Sequence, residues 1–148
     1  MSVSGSNKEN GDKAFKTKNF VEAIYWYTIA IVDEESKNEI NETAIGVLYS
    51  NRAASYSSSD RPDRALADAL MCVKHRPDWF KGYYRAAMAS DACNLGDEAM
   101  EYVEKAILLS PGHDDSLAQL SKRIAEKFPS GRSSHRNSST LYSWGEGR

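Results

Sequence analysis

One spacing constrains this chain more than any other feature. Gly46 and Phe80 stand 34 residues apart, and the same step relates Ala53 to Ala87, Ala65 to Ala99, Cys72 to Ala106 and Pro77 to Pro111. A fixed period of this length marks a stacked supersecondary unit, because a unit too small to bury its own apolar face must lean on a copy of itself. Small residues at shared positions have a mechanical reason: two antiparallel helices joined by a short turn approach closely only where side chains are short. Phe15, Phe20, Ile24, Tyr27, Leu48, Tyr56, Leu66, Met71 and Val103 are suited to fill the remaining gaps. Pro77 and Pro111 each end a second helix by removing an amide donor.

An earlier copy starts near Ser4, with Gly11, Ala23 and Ala30 at the positions of Ala53, Ala65 and Cys72. Here the step to the next copy is 42 residues, which leaves eight extra residues around Ser36 to Thr43 and no closing proline. The polar, helix-favouring segment DEESKNEINETAIG predicts a longer first hairpin whose two helices run past the usual length. After Pro111, Leu117, Leu120, Ile124 and Phe128 share one helical face behind Asp114 and Asp115, acidic residues that suit a helix start. This seventh helix is expected to cap the stack, since a solenoid's last repeat otherwise exposes an apolar face. From Ser130 onward six serines in 19 residues and little apolar periodicity predict a disordered tail. Its Arg-Ser-Ser and Arg-Asn-Ser groups and Leu141, Tyr142 and Trp144 are weak kinase-site and docking signals.

These spacings resemble the tetratricopeptide repeat (TPR), which has 34 residues, small residues at its eighth, twentieth and twenty-seventh positions and proline at its thirty-second. The resemblance covers residues 4 to 112. It implies an all-α fold, a right-handed superhelix of three TPR helical hairpins plus a C-terminal capping helix. The expected TPR domain is 4–129, with repeats at about 4–37, 46–79 and 80–113, a capping helix at about 114–128 and the tail at 130–148.

In such an array the first helix of each hairpin lines a concave groove. Polar groups at repeat positions two, five, six and nine then face inward, and these include Lys8, Asp12, Asn51, Lys81 and Arg85. Three are cations, and with an asparagine amide they suit carboxylates, to which charge-assisted hydrogen bonds are short and strong. A peptide ending in aspartate offers two carboxylates at once. The set resembles the dicarboxylate clamp of TPR co-chaperones, which implies a ligand in the Glu-Glu-Val-Asp C-terminus of heat-shock chaperones of the seventy and ninety classes. Lys8 in KENGDKAF, Asn51 in YSNRAASY, and Lys81 and Arg85 in RPDWFKGYYRAA match the clamp residue by residue. The fifth position departs, because Asp12 stands where the clamp has asparagine. An ionised carboxylate accepts hydrogen bonds but cannot donate them, so roughly tenfold to thousandfold in affinity is at stake.

Asp12 lies four residues after Lys8 and is placed to pair with it. Phe15, Val47, Ala54 and Met88 are the expected apolar neighbours of the ligand. The alternative function is a TPR scaffold for an internal segment or helix of another partner, the clamp being non-functional because of Asp12.

Composition excludes other classes. The formal net charge is −2; residues 130–148 carry three arginines against one glutamate, so the first 129 residues stand at −4. Nothing global attracts phosphate backbones or anionic lipid, and no nucleic acid or membrane is expected as a partner. No apolar stretch approaches the ~20 residues that span a bilayer, and the N-terminus MSVSGSNKEN lacks the apolar core of a signal peptide. Cys72 and Cys93, 21 residues apart without a CxxC pair, fit a reducing compartment. His75, His113 and His135 lack metal-ligand spacing and read as surface residues. With no catalytic triad or phosphate-binding motif in context, the expectation is a monomeric cytoplasmic adaptor with no enzyme activity, cofactor or metal.

Overall fold

A computed structural model describes residues 3–129. They form seven helices and, among the described residues, no strand: α1 (Val3–Lys16), α2 (Phe20–Glu35), α3 (Glu42–Ser58), α4 (Pro62–His75), α5 (Phe80–Ala92), α6 (Gly96–Leu109) and α7 (Asp115–Lys127). Each helix packs on its chain neighbours, while α3 also meets α5 and α5 meets α7. The chain therefore stacks hairpins α1–α2, α3–α4 and α5–α6, with α7 closing the far end. The expectations for residues 130–148, including Leu141, Tyr142, Trp144 and His135, lie outside the described residues.

The repeat's small residues sit where the helices cross. Ala23, Ala30, Ala53, Ala65, Cys72, Ala87, Ala99 and Ala106 are all 1% exposed or less. Gly11 allows a close approach of α1 to α2, since a Cβ there would lie 2.6 Å from Cε1 of Tyr27. Two apolar clusters result, one among α1 to α4 around Tyr27, Ile31, Ile45 and Leu48, and one among α5 to α7 around Val103, Leu117, Leu120 and Ile124.

Each hairpin turns in the same way. Lys18, Asp60 and Asn94 occupy the same repeat position and take positive φ of 64°, 62° and 60°. The following amide then donates back into the helix, Asn19 to the Ala14 carbonyl at 2.8 Å, Arg61 to Tyr56 at 2.9 Å and Leu95 to Ser90 at 2.8 Å. This left-handed residue with a six-to-one hydrogen bond is the Schellman stop, here built without glycine. The next helices start on Asn19 as a side-chain cap, on Pro62 at the first turn and on the unassisted Leu95.

The eight extra residues do not lengthen the first hairpin as a unit. In repeat register, two extend the end of α2, four extend the start of α3 and two lengthen the connection between them, so the joint between hairpins grows. Glu34, 2% exposed, holds this joint. Its carboxylate accepts from the Asn41 amide at 2.9 Å and from Lys37 Nζ at 2.9 Å, while Asn41 in turn caps α3.

His75 also departs from expectation. It is half-buried rather than freely exposed: its ring stacks on Tyr49, centroids 5.9 Å apart, and its Nδ1 meets the Glu42 carboxylate, which the extension of α3 brings into reach.

Candidate functional site

The first helices α1, α3 and α5 carry the five candidate polar positions, and the structure places them in two separate groups. Lys81 and Arg85 are one turn apart on α5, with Asn51 on the neighbouring α3. Arg85 Nε donates at 3.3 Å to the hydroxyl of Ser50, the residue before Asn51, and its guanidinium carbon lies 5.6 Å from the Tyr84 ring centre. Burial pushes the Arg85 guanidinium down from its ordinary value, with Tyr84 and Cys72 opposing. No carboxylate among the described residues lies within ion-pair distance of Arg85 or of Lys81. Lys81 is exposed, its Nζ 5.9 Å from the Trp79 ring, whose face also holds the Arg76 guanidinium at 4.0 Å.

The second group lies on α1. Lys8 Nζ donates to Asp12 Oδ2 at 2.9 Å, both side chains being 39% exposed. The other carboxylate oxygen, Oδ1, accepts from the Tyr27 hydroxyl of α2 at 2.5 Å. Burial first, and then Asp12 itself, push the Tyr27 phenol well above its ordinary value, so it remains the donor at physiological pH. No hydrogen bond joins the α1 group to the α5 group among the described residues.

The remaining candidates divide by burial. Val47 is half-buried on α3; Met88 is half-buried beside the second core cluster; Ala54 is buried. Phe15 packs edge-on against Phe20, centroids 5.3 Å apart, at the turn of the first hairpin. Sequence reasoning missed Ser50 and Tyr27 as partners of the polar set. Ser50 shares its repeat position with Lys8, so the inward register already pointed to it; Tyr27 carried only the signal of a core filler.

Electrostatically the two ends differ. The α5 wall presents two cations without a counter-anion among the described residues, whereas the α1 wall carries a lysine already engaged by an aspartate. Chemically the α5 and α3 residues supply a guanidinium, an ammonium and an amide, all donors and suited to one carboxylate. No group of His, Cys, Asp and Glu among the described residues could hold a metal ion, and no described helix is long and apolar enough to cross a membrane.

No family model matches the chain. It is 41% identical over 102 residues to heat shock protein STI1 of Saccharomyces cerevisiae, covering 69% of this chain and 16% of that protein. It is 30% identical over 104 residues to the serine/threonine-protein kinase BSK11 of Arabidopsis thaliana, covering 70% of this chain and 19% of the kinase. The chain thus spans under a fifth of the length of these curated relatives. Among solved structures, the first TPR of Spaghetti (RPAP3) bound to the HSP90 peptide SRMEEVD superposes with a TM-score of 0.76 at 25% identity, covering 88% of this chain and 97% of that one.

Proposed function

The chain belongs to the tetratricopeptide-repeat domains of the co-chaperone type, and from that premise we propose that its groove is an adaptor site for the acidic C-terminal peptide of a heat-shock chaperone of the ninety or seventy class. One observation carries the reading. Arg85 is a partly desolvated cation whose only hydrogen-bond partner among the described residues is a neutral serine hydroxyl, with Lys81 one turn away on α5 and Asn51 on the neighbouring α3. A desolvated cation gains most when an anion arrives with matching hydrogen bonds, and a peptide carboxylate is such an anion. The α1 residues Lys8 and Asp12 form the other end of the same groove, with Val47 and Met88 as half-buried apolar neighbours.

The domain acts by binding alone, bringing a chaperone to a client or to a module elsewhere in a longer protein. Both cysteines are free thiols, which supports a reducing, cytoplasmic setting.

The test is fluorescence anisotropy with labelled SRMEEVD, the peptide held by the RPAP3 domain. We expect saturable binding, weakened at least tenfold by Arg85→Ala or Lys81→Ala, because losing a charge-assisted bond costs about 1.5–3 kcal/mol and about 1.4 kcal/mol is tenfold. Failure to bind, or unchanged affinity in a folded Arg85→Ala variant, would sink the proposal.

A further inference from the structure

We infer that Asp12 is a built-in counter-anion occupying the α1 end of the groove, so that the site anchors one carboxylate of its ligand rather than two and accepts acidic segments that offer only one. The inference rests on the peptide-binding reading above and specifies the ligand class of that same site.

Three observations carry it. First, both oxygens of Asp12 are engaged, Oδ2 by Lys8 at 2.9 Å and Oδ1 by Tyr27 at 2.5 Å. The carboxylate is therefore held in place rather than free to swing away, and the ring that holds it is itself fixed by its close seat against Gly11. Second, Lys8 has its charge matched before any ligand arrives, and exposed Glu9 lies beside it on the same helix. An incoming carboxylate meets attraction from Lys8 and repulsion from Asp12 at nearly the same distance, which leaves little net Coulomb gain. Third, nothing comparable occurs on α5, where Lys81 and Arg85 have no carboxylate among the described residues to neutralise them. The groove is polarised, with its unspent positive charge at one end.

A neutral α1 end removes the requirement for two anions at a fixed separation. A terminal aspartate supplies its side-chain carboxylate and its chain end together, whereas an amidated terminus or an internal acidic segment supplies one. The polarised groove takes both kinds. An amide in place of the Asp12 carboxylate would release Lys8, remove the repulsion and add an N–H donor, converting the site to one that reads both groups.

The experiment compares SRMEEVD with two analogues, one amidated at its C-terminus and one with the final aspartate replaced by asparagine, on the intact chain and on Asp12→Asn. On the intact chain one of the two single removals is expected to cost at least tenfold and the other under about threefold. On Asp12→Asn both cost at least tenfold, and the parent peptide binds about tenfold tighter. Two costly removals on the intact chain, or one silent removal on both proteins, would overturn the inference while leaving the peptide-binding reading intact. Binding of no peptide by either protein would overturn that reading and the inference together.

Discussion

Arg52 closes on Asp68 through two hydrogen bonds, Nε to Oδ2 at 2.7 Å and Nη2 to Oδ1 at 2.8 Å, while Nη1 reaches the Thr28 hydroxyl at 3.1 Å. One guanidinium thus ties α3 to α4 within a hairpin and to α2 of the hairpin before it. Burial pushes the Asp68 carboxyl up, and Arg52 pulls it part of the way back. Removing one member leaves a buried charge unpaired, so Asp68→Ala is expected to cost about 3–5 kcal/mol. Replacing both, Arg52→Met with Asp68→Leu, is expected to cost much less, because no charge remains to be stranded. Urea unfolding of the two variants decides it. A single variant no worse than the double would show that stranding Arg52 without its partner costs nothing.

The three left-handed turn residues differ in how well they tolerate their conformation. A side chain in that region costs roughly 1–2 kcal/mol, and asparagine and aspartate offset part of this through local hydrogen bonds. Lys18 has no such compensation. Lys18→Gly is therefore expected to stabilise the fold by about 0.5–1 kcal/mol after the greater freedom of glycine in the unfolded chain is subtracted, and Asn94→Gly to change it little. Thermal unfolding should show a rise of a few degrees for the first alone. A fall in Tm for Lys18→Gly would contradict the assignment of strain to that turn.

What the sequence made legible follows from range. Helix crossings demand small side chains at fixed intervals, so the hairpins could be read from the spacing of small residues, with Pro77 and Pro111 marking two helix ends. The Lys8–Asp12 pair was readable because four residues is one helical turn. Contacts set by the approach of separate helices were not. Tyr27 reaches Asp12 across 15 residues only because Gly11 lets α2 close in, and Arg52 finds Asp68 across 16. The joint misled for a related reason. Asp33, Glu34 and Glu35 read as part of a polar, helix-favouring segment, yet Glu34 is buried, its carboxylate accepting from the backbone amide of Asn41. Nothing in a string of charges distinguishes the one that faces inward.

Glu34 gives that joint a pH signature. Burial alone would raise its carboxyl, but the Asn41 amide and the Lys37 ammonium outweigh burial and hold it below the ordinary carboxylate value. The folded state then binds fewer protons than the unfolded state, whose glutamates titrate near about 4.3. The contribution to stability is complete above that value and is lost as pH falls through the folded value. Glu34→Gln is expected to cost about 1–3 kcal/mol at pH 7. The gap to the parent chain should narrow below about pH 4. Parallel unfolding curves at pH 7 and pH 3 test this, and a gap that stays constant across the range would remove Glu34 from the acid response.

The two thiols report on different depths of the stack. Cys72 is fully buried, and burial raises its thiol to about 12, against opposition from Arg76 and Arg85. Cys93 caps α5, is half-buried and is raised less far, by burial and by Asp63. At pH 8 a thiol near 12 is ionised in about one molecule in ten thousand, against roughly a quarter for an unperturbed cysteine. Cys93 should therefore be modified first by an alkylating reagent in the native protein, and Cys72 at least about a thousandfold more slowly than in urea. Because Cys72 packs on Gly82 across α4 and α5, its labelling must wait for those helices to part. Asp68→Ala should accelerate it by loosening α4, while Cys93 labelling stays unchanged. Equal acceleration of both thiols would mean that the chain opens as one unit rather than at this joint.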